Sequence, residues 1–244
     1  MGGALATGWV SSGVEPSDII IVDPAPGDAA KALINLGAAH YDKLTAANLS
    51  RVKSAVIAVK PQMFEDIAQA IAQALPEDCT VISVMAGTSI KTLGAAFAPR
   101  NVVRAMPNTP AALGQGLTAI FAPSGEAAQK LATRLLSPSG VVITVDKEVL
   151  IDVITAVSGS GPAYIFHMVE ALQAAALSAG LPEDLAGIAA RQTVIGAGAL
   201  LEDSDKSATD LRVAVTSPNG TTQAGLEILM KDGGLPQLMR KTVM

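Results

Sequence analysis

The feature that most limits what this chain can become is an alternation that runs to Val145 and then stops. Short apolar runs end in turn-forming or polar residues: 19–22 in Asp23, 55–59 in Lys60-Pro61-Gln62, 80–85 before Gly87, and 101–106 in Pro107-Asn108-Thr109-Pro110. Helical spacing follows the first three, over 28–36, 63–75 and 89–97, with Gly37 stopping the first helix and Ser89 capping the last. Runs 117–121 and 141–145 read as strands flanking a helix over 125–136. After Val145 no strand-like run appears, and 164–177 and 183–201 have helical periods instead. The pattern predicts an α/β chain: βαβ units around a parallel sheet over 1–147, then an all-α domain over 148–244.

Ligands of such sheets gather beyond the carboxyl ends of the strands, so the polar breaks should share one rim. Residues 1–10, M-G-G-A-L-A-T-G-W-V, read as the opening of a helix with Gly2 and Gly3 at its start and no strand before it. That suggests the tail of G-x-G-x-x-G, the turn on which a dinucleotide pyrophosphate sits, with Gly2 as its last glycine. Close helix packing explains the two glycines equally well. Asp23 ends a strand where an acid accepts from the adenosine ribose and repels a 2′-phosphate, which favours NADH; a solvated strand-end carboxylate is the other reading. Lys60 is placed near cofactor phosphate or ribose, chiefly through its backbone, or is a solvated loop charge. Asn108 reaches the nicotinamide region or caps a turn between two prolines.

A second polar focus lies in the helical half, where 216–226 reads T-S-P-N-G-T-T-Q-A-G-L. Pro218 presets a turn, and Asn219-Gly220 can supply the positive φ it needs. Thr221 and Thr222 then fall where a helix opens, with free N–H groups and the positive end of the helix dipole suited to a carboxylate. The alternative is an ordinary helix N-cap supplied by Ser217 or Thr221.

Composition narrows the classes. The chain is 50% hydrophobic with mean hydropathy +0.41 but only 3% aromatic, which fits buried strands and closely packed Ala-rich helices. It also predicts helical surface buried against a second chain. Net charge is −5 with no basic cluster, so no nucleic-acid or anionic-lipid surface is expected. The lone cysteine, Cys79, starts a strand and reads as a buried structural thiol in a reducing, cytoplasmic setting. No secretory signal is read in the first residues. No membrane span is expected, because the best stretch, 153–169, is interrupted by Gly159, Gly161, Pro162 and His167. His167 is assigned to packing or an interface and His40 to loop surface. No H-E-x-x-H, C-x-x-C or carboxylate cluster occurs, and no metal site is expected.

The ordered set M-G-G-A-L at 1–5, A-V-K-P-Q at 58–62, M-A-G at 85–87, M-P-N-T-P at 106–110, S-G-S-G-P-A-Y at 158–164, G-L-P at 180–182 and S-P-N-G-T-T at 217–222 resembles the pyrroline-5-carboxylate reductase family. The resemblance implies reduction of a cyclic imine to L-proline with NADPH or NADH, by a Rossmann-type domain and a helical domain that builds a homodimer or larger homo-oligomer. It implies cofactor-lining backbone at Ala58, Val59, Lys60, Pro61, Val84, Met85 and Ala86. It implies that Thr222 bonds the ring nitrogen, while Ser217 and the backbone of Gly220 and Thr221 hold the carboxylate. Two departures stand out. The family begins with a strand and G-x-G ahead of the residues found here, so the sheet is expected to lack the strand between its two halves, as for a misplaced start or a fragment; the end also stops about two helical turns early. Asn219 replaces a glycine, which Asn's tolerance of the left-handed region should absorb. A related β-hydroxyacid dehydrogenase would need a lysine on the long helix, and none lies between Lys147 and Lys206. A non-catalytic dinucleotide-binding scaffold is the remaining alternative.

Overall fold

The computed structural model describes residues 1–244, in two compact units, Met1–Gly159 and Ser160–Met244. The first unit runs α1 (Gly2–Ser11), β1 (Ile20–Val22), α2 (Asp28–Asn35), β2 (Ala39–Tyr41), α3 (Ala46–Leu49), β3 (Ser54–Ile57), α4 (Pro61–Ala74), β4 (Thr80–Ser83) and α5 (Ile90–Phe97). It continues through β5 (Val102–Pro107), β6 (Gly116–Phe121), α6 (Glu126–Leu136), β7 (Gly140–Thr144), α7 (Val149–Ile154) and a π-helical turn, Thr155–Gly159. The sheet is in two pieces, as expected: β1 pairs only with β2, while β3-β4-β5-β6-β7 form the other.

Strands β3, β4 and β5 are parallel, so their carboxyl ends share one edge. The sheet is parallel, as expected, at every pairing except one: β6 is antiparallel to β5. The reason is connection length. A short 3-10 turn, Thr109–Leu113, joins these strands, whereas a parallel crossover needs about a dozen residues or more. Strand β2 and helix α3 were not expected; His40 therefore lies in a strand, not in a surface loop, and its Nε2 is 2.8 Å from the Asp23 carbonyl oxygen.

Every residue of β4 is buried, because α4 and α5 cover one face and α1 with α6 the other. The first face packs Phe64, Ile71, Leu93 and Phe97 on Val81; the second packs Leu5, Ala128, Ala132 and Leu136 on Ile82 and Val103. Alanines on α6 allow that close approach. Arg100 finishes α4: its guanidinium donates to the carbonyls of Ala72 and Leu75 and its Nε to Pro76, satisfying groups the helix end leaves open.

The second unit is helical throughout: α8 (Gly161–Ser178), α9 (Glu183–Glu202), α10 (Ala208–Ala214), α11 (Thr221–Met230) and α12 (Leu235–Val243). Its fully buried apolar residues are Ala186 and Ala190, on α9, although α8 and α9 pack together. The stripe expected on α8 is present in sequence, yet Ile165 and Leu172 are exposed, and so is Phe166 at 65%. The expected break in 153–169 takes the form of the π-helical turn Thr155–Gly159 and the start of α8 at Gly161, without a loop between helices. Val149–Ser178 is one helical run of 30 residues, long and apolar enough by length and composition to cross a bilayer. Pro162 fits because it stands in the first turn of α8, where its missing N–H has no partner to lose.

Candidate active site

The rim begins at the amino end of α1. A Cβ on Gly2 would lie 3.1 Å from the Ala58 Cβ, and one on Gly3 only 2.9 Å from the Ala29 Cβ. The first turn of α1 is therefore wedged between the end of β3 and the start of α2, with Leu5 and Ala6 buried behind it. Close packing accounts for both glycines, and it leaves the helix's free N–H groups beside the end of β3.

The other residues named for the rim follow strands β1, β3 and β4. Ala58 is exposed, Val59 half-buried, Lys60 is the exposed N-cap of α4, and Pro61 is its first residue. Beyond β4, Val84 donates its N–H to the Ile57 carbonyl at 3.1 Å, and the Met85 N–H donates to Ser83 Oγ at 3.3 Å. Both side chains are buried, while Ala86 and Gly87 are exposed, the latter at φ 70°. The loop thus offers small residues and backbone at the ends of two neighbouring strands. Asp23 is half-buried, with its Oδ1 accepting the Ala25 N–H at 2.9 Å. One carboxylate oxygen is thereby oriented by the turn.

Asn108 is 9% exposed and engaged at both ends: Oδ1 accepts the Leu117 N–H at 2.9 Å and Nδ2 donates to the Ser158 carbonyl at 3.1 Å. Its amide ties the end of β5 to β6 and to the π-turn. Arg104, which drew no attention in the sequence, is buried in β5 and donates to Glu148 Oε1 and Asp152 Oδ1, both at 2.8 Å. Glu148 Oε1 also accepts the Ile90 N–H at 2.7 Å, so one carboxylate anchors both the arginine and the start of α5. A lone cation within N-V-V-R-A-M was the available signal, because a buried charge needs partners. Cys79 is buried, and burial pushes its thiol up to about 11, partly opposed by the Arg100 charge; it is a packed thiol, not a nucleophile.

In the helical unit the 216–222 turn has the expected shape. Thr216 Oγ1 donates to the Arg212 carbonyl at 2.6 Å, and the Gly220 N–H closes the turn on the Ser217 carbonyl at 3.1 Å. Asn219 adopts φ 59°. Gly220 is the N-cap of α11, and no side chain caps the helix. Neither Ser217 nor Thr221 takes the capping role, so the amides at 221–223 are left for another acceptor. A Cβ at Gly220 would stand 3.1 Å from the Ser217 carbonyl oxygen, which keeps that position small. The Ser217, Thr221 and Thr222 side chains are exposed.

Residues 148–244 match the family described as pyrroline-5-carboxylate reductase dimerisation, and residues 1–87 match NADP oxidoreductase, coenzyme F420-dependent. A pyrroline-5-carboxylate reductase of Pseudomonas aeruginosa is 36% identical over 236 residues, 96% of this chain and 86% of that protein. The solved reductase of Coxiella burnetii superposes with TM-score 0.90 at 32% identity, over 99% of this chain and 90% of that one. That of Plasmodium falciparum, solved with NADP bound, gives TM-score 0.80 at 25% identity, over 100% and 90%.

Proposed function

The chain belongs to the pyrroline-5-carboxylate reductase family, and on that premise we propose how its residues divide the work. The protein is an NAD(P)H-dependent oxidoreductase that reduces the C=N bond of L-1-pyrroline-5-carboxylate to give L-proline, and it forms homo-oligomers. Residues 1–147 are assigned to the cofactor and 148–244 to substrate and self-association.

The rim suits a dinucleotide because it combines glycines at a helix start with exposed small residues, Ala58 and Ala86, at adjacent strand ends. Gly2 and Gly3 would hold the pyrophosphate side, Asp23 the ribose, and the backbone of Ala58, Val59, Lys60, Pro61, Val84, Met85 and Ala86 the remainder. Asn108 is placed beside the nicotinamide end, acting through the backbone it ties together. When bound, NAD(P)H supplies the hydride.

The substrate end falls to the 216–222 turn. The backbone at Gly220 and Thr221, through the open amides that follow the Gly220–Ser217 turn bond, holds the carboxylate together with the Ser217 hydroxyl, and the Thr222 hydroxyl hydrogen-bonds the ring nitrogen. A protonated imine is already electrophilic, so the protein need not supply a strong acid; orientation and a dry polar site contribute most. The observation that carries this reading is the uncapped start of α11, closed tightly by Gly220 and preceded by left-handed Asn219. Self-association is assigned to the exposed apolar faces of α8 and α9 in preference to a bilayer, because the other helices of the unit share that exposure. A cytoplasmic enzyme without nucleic-acid partners fits the reduced thiol and the charge of −5.

Consumption of NAD(P)H with pyrroline-5-carboxylate tests the assignment. Thr222→Ala should lower kcat ~10–100-fold, a lost hydrogen bond of about 1.5–3 kcal/mol. Wild-type rates in that variant would refute the role given to Thr222.

A further inference from the structure

We propose that Gln223 is a positioning residue for the imine substrate: its side-chain amide holds Asn219 in the left-handed conformation that aims the amides of the turn. This rests on the reading above, in which that turn holds the substrate.

Asn219, at φ 59°, is the one non-glycine residue of the chain with positive φ. Asparagine tolerates that region better than most side chains, but unlike glycine it has no free choice between the two signs of φ. Something must hold it there, and the contact is present. The Asn219 N–H donates to Gln223 Oε1 at 2.8 Å. Gln223 is fixed in turn, because its Nε2 donates to Glu227 Oε1 at 3.1 Å, one helical turn further along α11. The next amide, that of Gly220, is spent on the Ser217 carbonyl. The amides that follow, at the first positions of α11, take their direction from the backbone at 219 and 220.

The arrangement is related to a capping box, in which a Gln or Glu at the third helical position reaches back to the chain entering the helix. Here the reach goes one residue further, past Gly220 to Asn219. That extra residue is the one whose conformation decides the turn. Gln223 need not touch substrate; it acts through Asn219.

The test uses the intact enzyme and separates the two KM values. Gln223→Met keeps length and stem but removes the acceptor. It should raise KM for pyrroline-5-carboxylate ~3–10-fold while KM for NAD(P)H and kcat stay within about two-fold. In an Asn219→Gly background the same change should lose at least about half of its effect, because glycine visits the left-handed region freely. An unchanged substrate KM, an equal rise in both KM values, or the full penalty with glycine at 219 overturns the proposal. Thr222→Ala is run alongside. If it is impaired while Gln223→Met is not, this inference alone fails; if Thr222→Ala is unaffected, the substrate assignment fails and this inference with it.

Discussion

At Asp23 the two carboxylate oxygens stand in different settings. One oxygen accepts the Ala25 N–H and shapes the turn out of β1, which orients the group at the rim. Under the proposed cofactor assignment the other accepts from a ribose hydroxyl, and the charge opposes a 2′-phosphate. Asp23→Ser should therefore raise the ratio of kcat/KM for NADPH over NADH on the order of tenfold, as expected when a repulsive charge is removed from a specificity site. Rates measured with each cofactor at limiting concentration check this, and an unchanged ratio would remove Asp23 from cofactor selection. Asn108 shows the opposite economy. Both ends of its amide are engaged within the protein, so whatever it does for the cofactor it does through the strands and turn it joins.

At the scale of elements, the placement of α1 depends on two missing methyl groups. Gly3 has no room for a Cβ, since Ala29 would lie at 2.9 Å, inside any normal contact. Gly3→Val must push α1 from α2 and shift the rim. We expect a loss of about 1–3 kcal/mol in stability, read from urea unfolding, together with a rise in KM for NAD(P)H. Normal stability and cofactor KM would show that the helix start can yield without cost. Helix α4 relies on a different device: Pro76 stops it locally, and Arg100 gathers the carbonyls at its end from 24 to 28 residues away in sequence.

The whole molecule carries an imbalance between its units. The first has cores on both faces of its sheet, whereas the second leaves Phe166, Ile188, Ile195 and Leu200 more than half exposed. Exposed apolar side chains in such number mark a surface that another chain covers. Light scattering of the purified protein should give no 24.7 kDa species at micromolar concentration, and Ile188→Glu should shift the population towards monomer or insoluble material. A wild-type-like oligomer in Ile188→Glu would place the interface elsewhere.

Much of this protein was legible in its amino-acid order because the signals are local. Alternating apolar runs and helical periods, the positive φ at Asn219 and the opening of α11 at Thr221 each depend on a few neighbouring residues. Other features depend on what the rest of the chain brings near. Residues 39–41 have too little apolar run to announce a strand and become one because β1 offers a partner. Arg104 finds its carboxylates 44 and 48 residues away. The exposure of α8 follows from what does not cover it. The order of residues by itself determined the elements, their turns and the chemistry at their ends, since these are short-range choices of backbone geometry. Only the tertiary structure decided which charges meet, which weak run finds a strand partner and which apolar face stays open, because those outcomes require surfaces supplied by distant parts of the chain.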